Sequence, residues 1–166
     1  MSRQRNGGGI VIATVLLAFA LALWPLPEYL GLFRPNWLAL VVCYWVLEGS
    51  GGSRMGLGWA FVLGLAADLV FGTLIGEQAL RLCVIAFIVL RFRARLRFFT
   101  LLQQAFAVLA LLLNDRIVVL MIRALSGEGM PGWEFWVAPW IGALIWPWLY
   151  VLLDDIRLRL RSRDGS

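Results

Sequence analysis

An aspartate inside an apolar run is the first residue with chemistry to offer. In FVLGLAADLVFGTLIGEQAL, residues 61–80, Asp68 lies four residues after Gly64, four before Gly72 and eight before Gly76. A second polar cluster, Asn114, Asp115 and Arg116, interrupts another apolar run. Two carboxylates can make an acid–base pair, but nothing in the sequence brings Asp68 and Asp115 together, and no nucleophile or base accompanies them. All 15 basic residues are arginine. The absence of lysine and histidine excludes an imidazole base, a histidine metal ligand, a Schiff base and a P-loop lysine. Cys43 and Cys83 lie singly in apolar runs, outside any CxxC motif, and read as small buried hydrophobes. GSGGSR, residues 49–54, is glycine-rich without a lysine or a preceding strand, so it reads as a loop and not as a phosphate cradle. No catalytic residue, metal or cofactor is expected.

A carboxylate at the centre of a membrane span costs roughly 2.5–3.5 kcal/mol on insertion scales, so Asp68 must face protein or water. The residues at four-residue steps are Gly56, Ala60, Gly64, Asp68, Gly72 and Gly76. Such steps drift by about 40° each, so the middle four share one helix face, a stripe on which another backbone can come close. Three uses fit it: packing within the chain, docking of a partner's transmembrane helix, or an ion or substrate site. Asp115 and Arg116 are adjacent and point about 100° apart, so a pair across helices is expected, with Arg116 meeting Asp68 or a partner helix. The competing reading ends that helix early, at the interface. Glu77 and Arg81 stand in the favourable order for an i,i+4 pair near a helix start.

These residues are set in a chain of 166 residues that is 61% hydrophobic with nine tryptophans, at a mean hydropathy of +0.83. Soluble domains are about 45–50% apolar, so the class is an all-α polytopic membrane protein, one transmembrane domain over residues 1–166. Six apolar stretches, 10–26, 35–50, 56–75, 79–90, 101–122 and 135–153, are the expected spans. The first lacks a small-residue cleavage site and reads as a retained anchor. The second would rise only about 21 Å, less than the hydrocarbon core, and is expected to lie in a crevice, extend into its loop or sit at the interface.

Eleven arginines fall on one side of a six-span arrangement, among them Arg91, Arg93, Arg95 and Arg97 in one run and Arg157, Arg159, Arg161 and Arg163 in the tail. The positive-inside rule places both termini in the cytoplasm. Placement at segment ends also argues against nucleic acid as the partner of the +5 net charge. The arginines are expected to fix topology and hold anionic lipid headgroups, with an acidic cytoplasmic partner as the alternative. On the other side Trp24, Tyr29, Trp37, Trp133 and Trp136 suit an interfacial aromatic belt. The connections on that side, PEYLGLFRPN and SGEGMPGWE, are short and offer few convergent polar groups.

Over residues 34–80 the order of features is that of a family: Arg34-Pro35 with Trp37, Tyr44-Trp45, Gly56, Phe61 to Gly64, Leu65 with Asp68, then Gly72, Leu74, Gly76, Ala79 and Leu80. The chain resembles MreD, the rod-shape-determining membrane protein of bacteria; the cluster 114–116 does not map onto that pattern. The resemblance implies a non-enzymatic inner-membrane subunit of the elongasome. Such a subunit associates with MreC and, with it, supports MreB filaments and the RodA glycosyltransferase with its penicillin-binding transpeptidase in lateral peptidoglycan synthesis. It also implies a fold similar to the six-helix substrate-binding components of energy-coupling-factor transporters, which makes a solute-binding transport component the rival reading. Gly64, Asp68, Gly72 and Gly76, with Arg34 and Trp37, are the expected partner contact.

Overall fold

The structure, a computed structural model, describes residues 5–25, 27, 34–49 and 56–163. These form helices α1 (Arg5–Leu23), α2 (Trp37–Glu48), α3 (Leu57–Phe71), α4 (Glu77–Leu96), α5 (Leu101–Ser126) and α6 (Val137–Arg163), with a 3-10 turn at Trp133–Trp136 leading into α6. There is no strand among the described residues. The loop expected at residues 49–54 lies outside them beyond Gly49, as does Tyr29. By length and composition, Leu101–Ser126 and Trp133–Arg159 can cross a membrane; Gly8–Leu23, Trp37–Glu48 and Leu57–Phe71 are shorter apolar helices.

Helix α2 is the axis of the bundle. Its twelve residues rise only about 18 Å. A helix that is apolar on every side must be covered on every side, and each residue from Leu38 to Leu47 is buried, among α1, α4, α5 and α6. Of the three places open to this short segment, the structure adopts the interior. Asn36 caps its start, with Oδ1 accepting from the Ala39 N–H at 3.2 Å. Trp45 fastens it to α1, donating from Nε1 to Thr14 Oγ1 at 2.9 Å.

Helices α3 and α4 form a tight hairpin. A Cβ at Gly64 would lie 2.5 Å from the Ala79 nitrogen and 2.8 Å from the Gln78 carbonyl carbon, so only glycine lets α4 approach this closely. Gly142 in α6 is the useful contrast: its Cβ would meet the Leu112 Cδ1 methyl, which can rotate aside. Gly64→Ala is therefore expected to cost about 1–3 kcal/mol, and Gly142→Ala less. Tryptophan-fluorescence unfolding of the two variants in micelles checks that order.

Several boundaries differ from those expected. The third segment stops at Phe71 because Gly72 turns left-handed at φ 64° and closes the helix end. The fourth begins at Glu77, behind Gly76 at φ 99°, and continues through the arginine run to Leu96. Alternate positions on a helix lie about 200° apart, so Arg91 and Arg95 project outward while Arg93 reaches back to the end of α2. The sixth runs on to Arg163 through Pro147, so the tail arginines also extend a helix.

Candidate functional site

Two constellations join the helices, one at each end of α2. At its start, α4 and α5 are locked by a buried ion pair. Arg81 donates from Nε to Asp115 Oδ1 at 2.7 Å and from Nη2 to Oδ2 at 2.6 Å, a two-pronged pairing that the planar guanidinium is built to make. The Asp115 side chain is 1% exposed. Glu77, one turn before Arg81, stands 3.9 Å from its Nη1, and Asn36 Nδ2 donates to Asp115 Oδ2 at 3.4 Å.

Asp68 serves the neighbouring turn. It is 2% exposed and accepts from Thr73 Oγ1, Gly76 N–H and Gln78 N–H, each at 2.8 Å. The first N–H groups of a helix have no partner within it; here a carboxylate from the preceding helix supplies one. Burial of Asp68 is thus offset by bonds that hold α3 to the start of α4.

At the other end of α2, Glu48 gathers the arginine-rich helices. Tyr150 donates to Oε1 at 2.9 Å, Arg157 to Oε2 at 2.6 Å, and Arg97 lies 3.7 Å away. Arg93 Nε donates to the Leu47 carbonyl at 3.0 Å, satisfying an acceptor that the helix end leaves open. Arg159 pairs with Asp155 at 2.7 Å. Arg91 and Arg95 are exposed. The side chains of Arg161 and Arg163 lie outside the described residues.

Neither constellation has the make-up of a catalytic centre or a metal site: among the described residues no group of three acidic, histidine or cysteine side chains could hold a metal ion. Both hold helices together. The sequence profile of the rod shape-determining protein MreD matches residues 3–156. The chain belongs to the MreD family. A relative named rod shape-determining protein MreD, from Haemophilus influenzae (strain Rd), is 28% identical over 151 residues, covering 91% of this chain and 92% of its own. No solved structure matches. MreD membership and the apolar helices fit an inner-membrane protein with a part in rod shape determination.

The residues singled out in this MreD chain divide by place. Gly64 is covered by Ala79 and Asp68 is engaged by α4, so neither offers a surface to an outside helix. Gly72 and Gly76 shape the turn between them. Arg34 donates from Nη2 to the Trp24 carbonyl at 3.0 Å and ties the end of α1 to the approach of α2, while Trp37 packs on the core. The expected pairing of Arg116 with Asp68 is corrected. Asp68 is committed to its own turn, and the Arg116 guanidinium lies 4.5 Å from the centre of the Phe135 ring. The expected cross-helix pair exists at the neighbouring carboxylate, with Arg81 as the cation. The signal available for it was that Arg81 is the other arginine inside an apolar stretch. Asn114 is half-buried beside a cleft between α4 and α5.

Proposed function

We propose that the chain is a non-enzymatic scaffold of the rod complex, crossing the inner membrane six times with both termini cytoplasmic. Its six-helix plan is like that of the transporter components named above. It holds MreC by a transmembrane helix and through it supports MreB filaments and RodA with its transpeptidase. Membership of the MreD family over residues 3–156 carries this reading. Topology has independent support in the charge pattern, since Arg93, Arg97 and Arg157 meet at one end of α2; anionic lipids suit the exposed Arg91 and Arg95 there.

The MreC contact is placed on the outer face of α3. This helix packs chiefly against α4, with Phe71 stacked on Phe19 of α1 at 6.0 Å between ring centres. Most of its circumference is open: Val62 is 59% and Leu69 78% exposed, with Ala66 exposed between them at i, i+4, i+7 spacing. The Gly64–Asp68 stripe then acts on MreC binding at one remove, by setting the angle at which the hairpin presents α3.

Affinity purification in mild detergent with mass spectrometry tests it. The wild type is expected to recover MreC, and Ala66→Trp to lower that recovery by about tenfold, or ~1.4 kcal/mol, while unfolding as the wild type does. Recovery of an ATP-driven transport module in place of MreC would make the chain a solute-binding transport component.

A further inference from the structure

A polar cavity of about 600 Å³ opens at the end of the bundle remote from the arginine clusters. Its walls come from the turn after α3, the first turn of α4, the last turns of α5 and Phe135 before α6. Short connections with few polar groups gave little sign of it, because helices supply all of the charged lining except Glu128.

That lining holds three arginines, Arg81, Arg116 and Arg123, against two glutamates, Glu77 and Glu128. Two of the arginines are matched. Arg81 is held by Asp115, with Glu77 at its edge, and Arg123 faces Glu128 at 3.7 Å. Arg116 is different. Among the described residues its guanidinium makes no hydrogen bond or ion pair: it lies on the face of Phe135, with the charge of Asp115 nearby. Contact with a ring face balances part of the charge but uses none of the five N–H donors of the guanidinium. A half-buried guanidinium fixed on an aromatic platform, its donors unused among the described residues, beside a cavity within the usual 300–1,000 Å³ of ligand sites, has the form of an oxyanion receptor. Its planar fork matches phosphate.

We propose that this cavity binds a phosphate-bearing ligand, with Arg116 as its principal contact and Arg123 at the rim. The phosphate can come from a soluble compound or from an anionic phospholipid headgroup entering between the helices. The proposal stands apart from the identity of the transmembrane partner.

The test uses the full chain, purified in uncharged micelles and titrated with inorganic pyrophosphate. It is repeated in phosphatidylcholine nanodiscs with and without phosphatidylglycerol, with the thermal midpoint read by tryptophan emission. A saturable rise with pyrophosphate, about tenfold weaker in Arg116→Gln and unchanged in the distant Arg91→Gln, establishes a soluble phosphate ligand. A rise only with phosphatidylglycerol, with the same dependence on Arg116, establishes the headgroup. Arg116→Lys keeps the cation without the fork, so it is expected to bind more weakly than the wild type, and it replaces the glutamine variant if that fails to fold. No rise in either medium, or an equal rise in the Arg116 variants, overturns the proposal.

Discussion

Asp115→Leu lowers stability by about 3–5 kcal/mol, because it leaves the Arg81 guanidinium buried without its carboxylate. The size follows from burial at both ends of the pair: Arg81 is 9% exposed and Asp115 2%, so water does not replace the lost partner. Arg81→Met costs a similar amount, with Asp115 then the stranded charge. The double variant Arg81→Met with Asp115→Leu regains most of the loss, since an apolar pair of similar volume has no desolvation to offset. Unfolding of the four proteins in micelles, followed by tryptophan fluorescence, gives the coupling energy. Additive single losses would show that the two residues act separately and that α4 and α5 are joined by apolar packing alone. A double variant as stable as the wild type would assign the pair to specificity, fixing which faces of α4 and α5 meet at the start of α2.

Asp68→Leu separates insertion from folding. Removing the carboxylate makes insertion of α3 as a single helix more favourable by about 3 kcal/mol, yet it strands the Gly76 and Gln78 N–H groups that Asp68 accepts. Each orphaned donor costs about 1–3 kcal/mol, so the hairpin loses about 2–6 kcal/mol. The variant is expected to reach the membrane in normal amount and to unfold more easily, with faster hydrogen exchange at Gly76 and Gln78. Thr73→Val, which removes only the hydroxyl donor, should lose about 1 kcal/mol. Equal behaviour of the two variants would mean that the carboxylate does not close the turn.

What could be read in advance followed from composition and spacing. Six apolar stretches announce six helices, because nothing else can bury so much apolar surface in a chain this short. The shortness of residues 35–50 already pointed to an unusual place for α2, and the fold was needed to show which of the three it takes. The turn at residues 72–76 was harder. Glycines four apart belong equally to a helix stripe and to left-handed turn positions, and only the fold shows that Gly64 does the first while Gly72, ending α3, and Gly76, preceding α4, do the second. Alternate spacing in the arginine run did not tell which arginine turns inward; the helix sends Arg93 to Leu47. The pairing of Asp115 with Arg81 depends on which helices are neighbours, 34 residues apart in sequence, and spacing within one segment carries no information about that.

One measurement bears most directly on the claim that this chain is a scaffold whose α3 receives the MreC helix. A photo-crosslinking residue placed at Leu69, on the open face of α3, is compared in living cells with the same residue at Met121, exposed on α5. The account predicts a crosslink to MreC from position 69 and none from 121. A crosslink from 121 alone, or no MreC adduct from α3 while both variants support rod shape, would contradict it.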